Sequence, residues 1–213
     1  LQMHLCGAGL MQIMEENVKR FESLLASDGV AADYKQTIIP GMAQFYFDHD
    51  RMEELDAFLD GLSPSVLDAR GRGEMIRYLV LRDKVEKAAD WIREYGVNGV
   101  SPKTLMRLSS RIIQSSNKLE NKTVLFMCFY AFRNGKADIV TLDYLMEYYR
   151  GNTKTLRDIW KGAREKGMDV HDFSERILVQ MLYSGCFVGE MADIFKGCIE
   201  RDTDIMLEKA FLS

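Results

Sequence analysis

Three histidines, four cysteines and a row of basic residues are the side chains of this 213-residue chain with the types to carry chemistry. The histidines are His4, His49 and His171. A zinc site written on one helix pairs histidines at helical spacing, as in His-Glu-x-x-His, whereas a general base needs its partner only in space. None of the three has a second histidine three to five positions away. His49-Asp50 and His171-Asp172 fall at the edges of helical patterns and read as turn or cap residues. Cys6, Cys128, Cys186 and Cys198 form no Cys-x-x-Cys, so no metal or redox motif is present. There is no Gly-x-Ser-x-Gly elbow for a serine nucleophile. Gly7-Ala8-Gly9 and Gly71-Arg72-Gly73 could open a phosphate loop, but neither follows a strand pattern or ends in Gly-Lys-Ser/Thr. Gly71 and Gly73 read instead as places for close helix packing, or as loosening a helix between Ser63 and Arg82. The acidic pairs Glu15-Glu16 and Glu53-Glu54 lie on polar helix faces, without the pocket that paired-carboxylate chemistry needs. No catalytic residue, no metal ligand and no cofactor is expected, and the chain reads as a non-enzyme.

Charge carries more information. The formal charge of −4 is a sum of blocks. Residues 1–62 carry net −7, residues 63–137 net +7 and residues 138–213 net −4. In the central block Lys103, Arg107 and Arg111 stand at i, i+4 and i+8, so they share one helix face opposite Leu105, Leu108 and Ile112. Arg70 and Arg77 add to the same field. A basic face of this kind suits an acidic partner. The five residues are the candidate partner-binding set. The competing reading is a solvated face neutralised by acidic neighbours.

The elements that must position these residues are helices. With 47% hydrophobic and 28% charged residues and only 3 prolines, the chain has the balance of a packed globular protein. Leu10, Met14, Val18, Phe21 and Leu25 keep a three-to-four spacing, as do Val85, Ala88, Ala89, Trp91 and Ile92, and Leu142, Leu145, Met146 and Tyr149. Ser63-Pro64 and Ser101-Pro102 read as caps with proline at the first helical position. Gly96, Gly135, Gly167 and Gly185 read as stops. Pro40-Gly41 either kinks or splits its helix. The apolar run Val124 to Phe132 is nine residues long, against the roughly 20 a membrane span needs, and reads as a fully buried helix. Its aromatic residues, and the thirteen methionines, are assigned to core filling. The expectation is about ten to twelve helices and no sheet.

The helices repeat. Ser101, Asn152 and Thr203 are cap residues 51 apart, followed by Leu105, Leu156 and Leu207. Lys103-Thr104-Leu105 recurs as Lys154-Thr155-Leu156. An offset of 50 pairs Gly135 with Gly185 and Leu145 with Phe195, and a shorter echo of 33 pairs Asp50 with Asp83, Phe58 with Trp91 and Leu59 with Ile92. Stacked helix–turn–helix units bury a continuous core that one unit alone cannot.

Tyr183-Ser184-Gly185-Cys186-Phe187-Val188-Gly189-Glu190-Met191 and Phe47-Asp48-His49-Asp50-Arg51-Met52-Glu53-Glu54-Leu55 resemble the helix–turn–helix of the tetratricopeptide-like α-solenoid superfamily. Ala163-Arg164-Glu165-Lys166-Gly167-Met168-Asp169 resembles a pentatricopeptide segment. The resemblance spans residues 30 to 213. The family's 34-residue period is met only near the 33-residue echo, and its Trp, Leu-Gly and Tyr pattern is absent. The resemblance implies a non-enzymatic scaffold presenting a groove to another protein.

The sequence therefore reads as an all-α fold, a short right-handed α-solenoid of stacked antiparallel helical hairpins, forming one domain over 1–213. Its units are 1–62, 63–100, 101–151 and 152–202, with 203–213 starting another. The expected function is a protein–protein interaction module, a piece of a longer protein, with an acidic protein as partner, no membrane, and the oligomeric state left open. The alternative is RNA or single-stranded nucleic-acid binding through 63–137. Against that alternative, the basic segment lacks exposed aromatics for base stacking. Sparse, unclustered cysteines point to the reducing cytoplasm. Because the chain starts at Leu1, secretion of a longer parent stays open.

Overall fold

Two turns 33 residues apart share one backbone conformation, and they set the architecture of the first half of the chain. The first follows Asp48 and the second follows Leu81. Asp50 and Asp83 hold φ of 56° and 59°, the left-handed region that aspartate tolerates better than most side chains. In each turn the next N–H reaches back to the helix: Arg51 donates to the Tyr46 carbonyl at 2.9 Å, and Lys84 to the Leu79 carbonyl at 2.8 Å. These bonds satisfy carbonyls that a helix end leaves orphaned. At these two turns the 33-residue echo corresponds to one shared backbone geometry.

The computed structural model describes residues 15–24, 32–115 and 121–167. Among the described residues are nine α-helices, one short 3₁₀ helix and no strand. The fold is all-α. The chain divides into two compact units, Leu1–Val100 and Ser101–Ser213. Phe195, Thr203, Gly185, His4, His171, Cys6, Cys186 and Cys198 lie outside the described residues.

The first unit contains α1 (15–24), α2 (Ala32–Asp48), α3 (Met52–Gly61), a 3₁₀ turn (Pro64–Val66), α4 (Ala69–Leu81) and α5 (Val85–Tyr95). Helix α2 packs on α3 and α4, and α4 packs on α5. Their core is Ile39, Met42 and Tyr46, then Leu55 and Leu59, then Met75, Ile76 and Leu79, then Ala88, Trp91 and Ile92. Helix α2 runs through Pro40 without splitting. Ser63-Pro64 opens only the three-residue turn, with no side-chain cap. The cap of α4 is Asp68, which accepts from the Gly71 N–H at 2.6 Å.

Helix α4 and the turn before Ser101 meet backbone to backbone. A Cβ on Gly73 would stand 2.0 Å from the Gly99 carbonyl oxygen, and a Cβ on Gly99 would stand 2.0 Å from that of Ala69. Gly99 also has a φ of +83°. Only glycine fits either position.

The second unit contains α6 (Pro102–Gln114), α7 (Asn121–Arg133), α8 (Ile139–Tyr148) and α9 (Thr153–Glu165). Helix α6 packs on α7 and α8, and α7 on α8. Ser101 accepts from the Thr104 N–H at 3.2 Å, and Asn152 from the Thr155 N–H at 3.1 Å. Downstream of these two caps the buried residues keep one register: Leu105, Leu108 and Ile112 in α6 match Leu156, Ile159 and Ala163 in α9. Asp138 makes a capping box with Thr141 at the start of α8. Gly135 and Gly167 end α7 and α9 with φ of +71° and +65°.

Candidate functional site

Lys103, Arg107 and Arg111 are all exposed on α6, opposite a face that buries Leu105, Leu108 and Ile112. Helical periodicity alone places them there. Among the described residues the side chains of Lys103 and Arg107 have no hydrogen-bond or ion-pair partner. Thr104, Ser109 and Ser110 are polar and buried on the same helix. Ser109 donates to the Leu105 carbonyl of its own helix at 2.8 Å, and Ser110 donates to the Asp138 carboxylate.

Arg70 and Arg77 sit on α4, in the other compact unit. Arg70 is exposed. Arg77 is engaged: its Nε lies 3.1 Å from Glu74, and its guanidinium rests 4.2 Å from the Tyr78 ring centroid. The rest of the basic block in this unit is largely consumed by the acidic block. Arg82 makes two bonds to Asp56, at 3.0 and 2.7 Å. Lys84 lies 2.8 Å from Asp60, and Lys87 donates to the Leu59 and Asp60 carbonyls at 2.8 Å, closing the end of α3. Arg82 holds the Asp56 carboxyl below the usual carboxylate range, chiefly by its hydrogen bonds. In the first unit, then, much of the positive charge is neutralised.

Over its whole length, residues 101–213, the second unit carries 17 Lys and Arg against 15 Asp and Glu, with the basic excess in its first part. Residues 101–115 and 121–167 carry 12 Lys and Arg against 5 Asp and Glu. Some of those acids are already engaged. Asp138 caps α8 and accepts from Ser110, and Glu147 lies 3.4 Å from Arg150.

Helix α7 corrects the expectation of a fully buried apolar run. It buries Val124, Met127, Cys128, Ala131 and Phe132, but Phe126 is 53% exposed and Tyr130 41%. Their rings lie 6.1 Å apart, with planes 28° from parallel. Exposed Lys122 and Arg133 complete the row at i, i+4, i+8 and i+11. Arg133 stands over the Phe129 ring at 5.1 Å. The signal was present in the sequence as spacing, since those four positions share one face. An all-apolar composition masked it.

Among the described residues the groups with catalytic chemistry are tied into packing or turned to solvent. Burial pushes the Cys128 thiol up to about 11, with Ser109 beside it, so it behaves as an inert core thiol. His49 sits in the turn after α2, its Nδ1 2.9 Å from the Phe45 carbonyl oxygen. Glu15, Glu16, Glu53 and Glu54 are exposed. Among the described residues no three His, Cys, Asp or Glu side chains converge as a metal-binding group. Among the same residues no helix is long and apolar enough to cross a membrane. One apolar groove of about 390 Å³ lies between α1 and α2, floored by Val18, Phe21, Ile38, Met42 and Phe45.

Two family models match the chain. The N-terminal model of a family of unknown function (DUF5717) covers residues 1–119, and its C-terminal model covers residues 121–213. The join falls between α6 and α7, which pack on each other inside one compact unit. No curated protein and no solved structure matches the chain.

Proposed function

For a chain that belongs to this family of unknown function across both of its halves, we propose a non-enzymatic interaction module built as a helical repeat. The repeat is read as a short right-handed α-solenoid of antiparallel hairpins. The matched turns at Asp50 and Asp83 support that reading, as does the shared burial register of α6 and α9. Repeats of this kind hold a rigid surface to a partner rather than enclosing a reaction. The proposed partner is an acidic protein segment, and the proposed setting is the cytoplasm.

The state of Lys103 and Arg107 carries the proposal. Both are exposed on a rigid helix and, among the described residues, their side chains have no intramolecular partner, unlike those of Arg77, Arg82 and Lys84. Positive side chains left unneutralised in this way steer and orient an acidic ligand. The function lies in binding, with affinity set by charge complementarity at α6.

A fluorescein-labelled polyglutamate peptide titrated into the full chain tests it. Replacing the row by Lys103→Glu, Arg107→Glu and Arg111→Glu together should weaken binding at least about tenfold, since rim charges contribute a few tenths to 1 kcal/mol each and reversal adds repulsion. Unchanged affinity in the triple variant, with an unchanged melting curve, would refute the role of α6.

A further inference from the structure

We propose that the outer face of α7 is a stacking platform for single-stranded RNA, a ligand class separate from the acidic protein partner assigned to α6. The face consists of Lys122, Phe126, Tyr130 and Arg133. Large aromatic side chains exposed at 53% and 41% on a well-packed helix leave apolar surface in water, and in this helix the opposite face is already buried. The two rings are near parallel, one helical turn apart, with centroids 6.1 Å from each other. That separation is roughly twice the 3.4 Å repeat of stacked bases. Each ring offers a π-surface to a base, and stacking of this kind tolerates any base sequence.

Charge complementarity selects the occupant. A cation stands at each end of the aromatic pair, Lys122 one turn before it and Arg133 one turn after. Helix α7 contains no acidic residue. Arg133 is held over Phe129, so its guanidinium is partly ordered before any ligand arrives. Cations flanking aromatic rings match a chain that alternates phosphates with bases. A duplex has its bases stacked and paired, so it cannot use the rings, whereas a single strand can splay its bases onto them. The main objection to nucleic-acid binding, a lack of exposed aromatics in the basic segment, is removed by the observed placement of Phe126 and Tyr130.

The test is fluorescence anisotropy of a labelled 12-nucleotide oligouridylate with the full chain at low salt. Binding is expected, with Phe126→Ala/Tyr130→Ala weakening it at least about tenfold. Lys122→Gln/Arg133→Gln should make the slope of log K against log salt shallower by about 1.4, because two phosphates then go unneutralised at about 0.7 each. All four positions are exposed, so the melting curves should match the parent. If either double variant fails to fold, single Phe126→Leu and Tyr130→Leu variants, which keep the apolar bulk and remove the ring, decide the matter. An abasic 12-mer should bind the parent and the aromatic variant alike. No binding to oligouridylate overturns the proposal, as does binding insensitive to the rings. Binding of polyglutamate that depends on the rings while oligouridylate fails also overturns it, and would reassign α7 to a protein partner. The α6 triple variant tests the other surface, so the two proposals fail separately.

Discussion

Gly73→Ala adds one methyl group where backbone already sits. In an open helix interior the exchange stabilises by roughly 0.5–1 kcal/mol, because alanine loses less backbone entropy on folding. Gly73 is not in an open position. The new Cβ would stand 2.0 Å from the Gly99 oxygen, 2.4 Å from its carbonyl carbon and 2.9 Å from the Val100 nitrogen. Favourable contact between heavy atoms lies near 3.5 Å, so the turn must retreat by more than about 1 Å. No rotamer change relieves this, since every atom in the way belongs to the main chain. Retreat also pulls Gly99 off the Ala69 carbonyl, against which it is packed. Overpacking of this type costs typically 1–3 kcal/mol, and a backbone obstacle places it at the upper end. After the helical gain is offset, the net loss is about 2 kcal/mol, or a melting temperature lower by roughly 4–8 °C in a chain of this size. Urea and thermal melts followed by circular dichroism measure it. Gly41→Ala is the control: nothing lies within 4 Å of its Cβ position, so there the same exchange should gain about 0.5–1 kcal/mol. A Gly73→Ala protein as stable as the parent would refute the backbone contact between α4 and the turn.

Two side-chain pairings give further outcomes. Asp138→Ala should cost about 1–2 kcal/mol, because it removes the α8 cap and leaves Ser110 without its acceptor, whereas Asp138→Asn retains the cap and should stay within about 0.5 kcal/mol; equal losses in urea melts would argue against the capping box. Arg82→Ala should destabilise by about 0.5–1 kcal/mol at pH 7, as expected for a partly exposed pair. Asp56 has its folded-state pKa depressed, so the stability the pair supplies is present above the ordinary aspartate value near 4 and is lost as pH falls through the folded value. The deficit of Arg82→Ala should therefore shrink as the pH falls below the ordinary aspartate range, and a deficit that does not shrink on acidification would contradict the pairing.

Much of the fold was legible because helix formation is local. The register of Leu105, Leu108 and Ile112 opposite Lys103, Arg107 and Arg111 follows from a 3.6-residue period and needs no neighbour to state it. The Ser101 and Asn152 caps, the glycine stops at Gly96, Gly135 and Gly167, and the equivalence of Asp50 with Asp83 are likewise short-range features. Ser63 misled because a serine before proline starts a 3₁₀ turn as readily as a long helix; the acceptor that caps α4 stands five residues later, at Asp68. The α7 face departs from its sequence pattern for a different reason. An apolar run cannot say how many of its sides will be covered, and here packing covers one side and leaves Phe126 and Tyr130 outside.

The sequence by itself determined that the chain is helical, the apolar face of helices such as α5 and α6, and the glycine stops at Gly96, Gly135 and Gly167, since those properties depend on residues within four or five positions. Tertiary structure alone decided which charges cancel and which stay available. Asp56 and Arg82 are 26 residues apart, and only the packing of α3 against α4 turns two formal charges into one neutral pair. It also decided that Gly73 and Gly99 must both lack a side chain, because steric exclusion depends on distance in space and not on distance along the chain.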